Sequence, residues 1–156
     1  MIIGLLTDLR DSLAAILPGF EVVRSYSQNV PRPAGDYVMM TTISMERLTT
    51  SSFIYNTKKF KTRTVVQLDI FSPNALDTAW LVNHYYRSGL IDTIPFAGVI
   101  YVTNPRQMFL NDDERRMDER WVIELHIERD DGLTLPTESA NTVIVSSFNE
   151  ADTFAH

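Results

Sequence analysis

Thr64 to Leu90, TVVQLDIFSPNALDTAWLVNHYYRSGL, holds the change of period on which the fold turns. Val66, Leu68 and Ile70 alternate with Val65, Gln67 and Asp69, the period of two of a strand with one covered and one wet face. Ser72-Pro73 then supplies a helix start: a serine hydroxyl accepts a bond from an orphan N–H, and proline at the first helical position has none to leave unpaired. At about 100° per residue, Ala75, Ala79, Val82, Tyr86 and Leu90 share one face, opposite Asp77, His84 and Ser88. Ser88-Gly89 ends the helix, because glycine takes the left-handed conformation that closes one. Leu81 and Tyr85 lie four apart on the flank of that helix. They either form part of an exposed apolar patch, which marks an interaction site, or tuck beneath the first helix of the chain.

Working outward from this unit, Ile2, Leu6, Leu9, Leu13 and Ile16 recur at helical spacing and Leu17-Pro18-Gly19 stops them, giving a first amphipathic helix. Phe20–Arg24 is a short strand or an extended connector, and the prolines of Gln28–Asp36 hold an extended path over the surface. Tyr37–Arg47 is a strand with Val38 and Met40 on one face and Met39, Ile43 and Met45 largely on the other. It joins the central strand through Thr49–Lys61 as a long antiparallel hairpin with a projecting tip. Gly98–Val102 is a short strand, Asn104–Leu110 a loop, and Asn111–Arg120 a charged run. Trp121, Ile123, Leu125 and Ile127 alternate with Val122, Glu124, His126 and Glu128 in the clearest half-buried strand, which Asp130-Asp131-Gly132 ends. Leu133–His156 is a polar extension with one β-rich run, Thr142–Ser146, of a kind that pairs with a sheet edge.

The expected architecture is α+β: a mixed, largely antiparallel sheet of about four to five strands, two helices on one face, and a projecting β-hairpin. Residues 1–132 form that domain and 133–156 a partly β, partly flexible extension. The length of 156 residues suits one domain that buries a core without staples. With 44% hydrophobic and 22% charged residues, and no apolar run near the roughly 20 residues of a spanning helix, the composition is that of a globule outside the membrane. The apolar start lacks a basic n-region and meets Asp8, Arg10 and Asp11, so no signal peptide is expected. No cysteine is present, which removes disulfides and thiolate chemistry and fits assembly in a cytosol.

No catalytic constellation is visible, and the expectation is a protein that is not an enzyme and takes no cofactor and no metal. Glu124, His126 and Glu128 share a strand face that in principle binds a divalent ion, but an ordinary wet face has the same pattern. Nucleotide, metalloprotease and hydrolase motifs are absent from the sequence. Phe53, Tyr55, Lys58, Lys59, Phe60, Lys61 and Arg63 interleave aromatics with cations as a single-strand nucleic-acid platform does. The formal charge of −6 opposes general phosphate binding.

Asn29-Val30-Pro31-Arg32-Pro33 followed by Tyr37-Val38-Met39-Met40, Gln67–Phe71 followed by a helix, and the Trp121–Ile127 strand together resemble the phage neck or tail terminator family of long-tailed bacteriophages and prophages. The resemblance covers residues 1–130 and stops short of the extension after Asp131. It implies a virion structural subunit that forms a ring, commonly a hexamer, capping the head-proximal end of the tail tube and presenting a docking surface to the head connector. The implied partners are copies of itself, the tail tube protein, the connector proteins, and genomic DNA passing through the lumen without sequence-specific binding. The implied location is the neck of the virion, reached from the host cytoplasm. The alternatives are a head completion or connector protein of the same virion and a small nucleic-acid-binding module using the 53–63 hairpin.

Candidate interface residues on these grounds are Phe53, Tyr55, Lys58, Lys59, Lys61 and Arg63 in the hairpin and Leu81 and Tyr85 on the helix. Arg106 and Phe109 in the loop, and the acidic run Asp112, Asp113 and Glu114, complete the set. A ring uses one patch against a different patch on the next subunit, and the basic and acidic runs offer such a pair. The acidic run alternatively lines the channel, where like charge keeps genome phosphates from sticking. If the runs are complementary, charge reversal at Lys58 and Lys59 weakens assembly and added reversal at Asp112 and Asp113 partly restores it. Sedimentation of the variants checks this, and unchanged rings in the single reversals would refute it.

Overall fold

The central strand is longer than its apolar alternation, because pairing on both sides carries it outward past the apolar residues. The computed structural model describes residues 2–25, 32–48, 59–89, 97–108 and 119–132. In chain order the elements are α1 (Ile2–Ile16), β1 (Glu21–Arg24), β2 (Tyr37–Arg47), β3 (Lys59–Phe71), α2 (Ala75–Arg87), β4 (Ala97–Val102), β5 (Arg106–Gln107) and β6 (Arg120–Gly132). They form one sheet in the order β1-β2-β3-β6-β4, with β5 also paired to β6. All pairs are antiparallel except β1 with β2. The α+β reading holds, with the sheet gaining the two-residue β5 beside Pro105, too short to leave any periodicity. Within Phe20–Arg24, Glu21–Arg24 is a strand, and it pairs in parallel with β2, which needs a crossover of about a dozen residues between them; residues 26–31 of the proline-rich stretch lie outside the described residues.

Both helices cover one face. Leu5, Leu9, Leu13 and Leu17 of the α1 segment meet Ala75, Ala79, Val82 and Tyr86 of α2 over Val38, Met40, Val66, Leu68, Ile70, Ile123, Leu125 and Ile127. At about 1.5–3 kcal/mol for each large side chain fully buried, this cluster dominates the stability. The α1 stripe is turned slightly from the expected one: Leu5 and Leu17 are buried, whereas Leu6 and Ile16 only flank the core. Leu17, beyond the last helical turn, is core as well as terminator, its N–H donating to the Leu13 carbonyl at 2.8 Å. Gly19 and Gly89 take φ of 96° and 64°, the left-handed turns that stop α1 and α2.

Three expectations change. The helix after β3 begins at Ala75 rather than Pro73, and Asn74 precedes it without a side-chain cap. The Ser72 hydroxyl accepts the Asn74 N–H at 3.2 Å while donating to Asp36 at 3.1 Å, so Ser72-Pro73 forms a turn that leads into the helix. Met45 does not share a face with Met39. A bulge at Ile43, between Thr42↔Val66 and Ser44↔Val65, inserts one residue and brings Met45 opposite buried Thr64, on the side of Val38 and Met40. Asp69 does not sit on a wet face: only 1% of it is exposed.

Ser12 of α1 and Tyr86 of α2 share a buried hydrogen bond of 2.8 Å that ties the two helices together. Burial pushes the Tyr86 phenol up to about 12, the Ser12 bond pulling the other way. The folded state therefore holds this proton more tightly than the unfolded chain, whose tyrosine titrates near 10. Its contribution is complete below pH 10 and is lost as pH rises from 10 towards 12, by about 2–3 kcal/mol. Urea unfolding of wild type and Tyr86→Phe at pH 8 to 11.5 checks this: the difference in stability between the two shrinks across that window.

Candidate assembly surfaces

The face of the sheet away from the helices carries polar and aromatic side chains in cross-strand rows. Tyr37, Phe71 and Arg120 form one row, with the two rings stacked 4.5 Å apart and the guanidinium 5.7 Å from the Phe71 centroid. In the next row, Asp69 receives Arg120 through Nε at 3.0 Å and Nη2 at 2.8 Å, and the Gln67 amide at 3.0 and 3.1 Å. A buried carboxylate is tolerated only with such pairing. Glu46, Arg63 and Glu128 form another row, Arg63 bonding Glu128 at 2.7 Å and approaching Glu46 at 3.6 Å. The bond to Glu128 holds the Arg63 pKa above its ordinary value.

These rows decide how the strand face of Glu124, His126 and Glu128 is used. Glu124 accepts Arg106 at 3.0 Å, Glu128 accepts Arg63, and the His126 ring stands edge-on to Tyr101 at 5.4 Å. Both carboxylates are committed to guanidinium groups.

Of the sequence candidates, Lys61 is exposed on β3, and Arg63 is spent within its own sheet. Arg106 lies on the same face, but its partner Val122 is six residues along β6 from the Glu128 opposite Arg63, about 20 Å at the rise of a strand. The structure therefore does not gather these cations into one patch. On α2, Leu81 is 43% exposed and Tyr85 half-buried, so Leu81 belongs to the surface. Phe53, Tyr55, Lys58, Phe109, Asp112, Asp113 and Glu114, and the side chain of Lys59, lie outside the described residues.

Sequence reasoning missed the other exposed apolar groups. Trp80 of α2 is 48% exposed on the flank away from Leu81. Ile43 at the β2 bulge is 53% exposed, and Met45 follows it. On β4, a second bulge places Ile100 between Val99↔Ile127 and Tyr101↔His126, with Ile100 and Tyr101 50% and 56% exposed. The helical wheel was enough to find Trp80. Nothing in the local pattern marks the bulges.

A family model of phage neck terminator proteins matches residues 4–152. The chain belongs to the phage neck terminator family. No curated protein matches it. The family match runs beyond Asp131 into the C-terminal extension, which carried none of the sequence resemblance. As a phage neck terminator protein the chain has a structural role in the tail and neck, resides in the virion and contacts other virion proteins.

The Asp69–Arg120 pair holds β3 and β6 together on the helix-free face of this terminator subunit. Asp69→Ala, which strands a largely buried guanidinium, is expected to cost about 3–5 kcal/mol in urea unfolding. Asp69→Leu with Arg120→Met should recover most of the loss.

Proposed function

We propose that the subunit closes with copies of itself into a ring, a hexamer, that caps the head-proximal end of the tail tube. The outward surface of that ring docks the head connector, and genomic DNA passes through its lumen. The protein acts by assembly and without catalysis, and the ring is built in the host cytoplasm.

The observation that carries this reading, beside family membership, is that exposed apolar side chains occupy two different sides of one sheet. Ile43 and Met45 lie on β2, whereas Ile100 and Tyr101 lie on β4, with β3 and β6 between them. A two-fold dimer would need one self-complementary patch; two unlike patches on opposite sides suit head-to-tail contacts, which close into a ring when the rotation permits. The charge of −6 suits a lumen through which DNA slides. The nucleic-acid-module reading loses support where Arg63 is taken by Glu46 and Glu128.

Light scattering and negative-stain microscopy of the purified protein, alone and with tail tubes, test the proposal. Rings of six are expected, and a monomer under both conditions would overturn it. Co-purification with tails is expected; departure with filled heads would assign the protein to the connector instead.

A further inference from the structure

The two open edges of the sheet match each other in level, direction and chemistry. β1 pairs with β2 only from Tyr37 to Met40, and the Ser25 N–H to the Met40 carbonyl, 3.0 Å, marks the end of that cover. From Thr41 to Arg47, no strand among the described residues pairs with the outer edge of β2. On the far side, β4 is the last strand, and its register can be followed across the sheet. Ala97 pairs with Arg129, Arg129 with Thr62, and Thr62 with Arg47. Val102 pairs with Leu125, Leu125 with Val66, and Val66 with Thr42. β4 thus occupies the levels from Thr42 to Arg47, the levels at which β2 is left open. β1 and β5 stand at the other levels, near Val38 and Trp121.

Direction agrees as well. β2, β3, β6 and β4 alternate, so β2 and β4 run opposite to one another, and a rotation about an axis along the strands sets one subunit's β4 antiparallel to the next subunit's β2. Because the two edges share a level, that rotation needs no rise, and a contact without rise closes a ring where one with rise builds a filament. The chemistry of β4 is that of an edge meant to be covered. β4, AGVIYV, has no charged residue, although isolated edge strands are normally blunted by charge. Each edge has a bulge beside the row that joins Ser44, Val65, His126 and Tyr101, Ile43 on one side of that row and Ile100 on the other, and both isoleucines are exposed.

We propose that the outer edge of β2 from Thr41 to Arg47 receives the outer edge of β4 of a second copy of this chain, so that the sheet continues from subunit to subunit. This rests on the ring reading above and names the surfaces that make the ring.

The chain has no cysteine, so an introduced pair reports without background. Within one subunit the two edges are three strand spacings apart, about 14 Å, too far for an internal disulfide. The full chain carrying Ile43→Cys and Ile100→Cys, oxidised mildly, should give a ladder of covalent oligomers on a non-reducing gel, ending at the ring number. Each single variant should stay monomeric on the gel, and an equal mixture of the two should stop at dimers. Ser44→Cys with Tyr101→Cys, on a neighbouring row, serves if circular dichroism shows the isoleucine variants misfolded. A wild-type ring in the microscope with no ladder from either folded pair overturns this seam and leaves the ring reading intact, as it would if another segment covered β4. A covalent dimer from one single variant alone also overturns it, since that requires a two-fold contact. A wild type that forms no ring alone or on tail tubes removes both.

Discussion

Everything in this subunit is referred to the unbroken ladder between β3 and β6. It runs from Lys59↔Gly132 to Phe71↔Arg120, with no bulge along its length. Both helices lie on one side of it, the buried Asp69–Arg120 pair spans it on the other, and β2 and β4 take their register from its two strands. A slip of one residue would turn Val66, Leu68 and Ile70 away from α1 and α2 and bring Gln67 and Asp69 beneath them. The hydrophobic face and the polar face therefore enforce the same register.

The two faces divide the work. The helix-covered face supplies most of the burial, with fully enclosed leucines and isoleucines. The helix-free face pairs most of its charges in cross-strand rows, buried at Asp69 and Arg120 and open to solvent at Glu46, Arg63 and Arg106. Under the proposed seam, the outermost strands, where pairing stops among the described residues, are the part that meets another copy. A phage neck terminator protein must hold its own shape while bonding to neighbours, and the division suits that requirement.

Much of the fold was legible because long elements leave periodic traces. β2, β3, β6, both helices and their glycine stops follow from alternation, helical spacing and left-handed turns. What escaped depends on residues far away in the chain. Asp69 belongs to a polar alternation, and only Arg120, 51 positions later, makes its burial tolerable. Arg63 looked like part of a basic docking run until Glu128, 65 positions on, was placed opposite it. The bulges at Ile43 and Ile100 leave no signature, since an extra residue in a strand resembles any other, yet they decide which side Met45 takes and what the edges expose. Leu81 and Trp80 lie on opposite flanks of the buried stripe of α2, and helical spacing alone puts both at the surface.

The β3–β6 ladder also sets a schedule for the chain during synthesis. β2 and β3 are joined by a hairpin and can pair soon after both emerge, but β3's other edge waits for β6. At about 5–20 residues per second, the stretch from Phe71 to Gly132 takes about 3–12 s to be made. For that interval an apolar strand, Val65 to Phe71, offers an open edge to every other nascent copy. Lys59, Lys61 and Arg63 stand at its entrance, and cations flanking an apolar strand are a common guard against premature strand addition. Arg63 thus stands among the cations at the entrance to β3 before Glu128 is made, and at the centre of an ion-pair row afterwards.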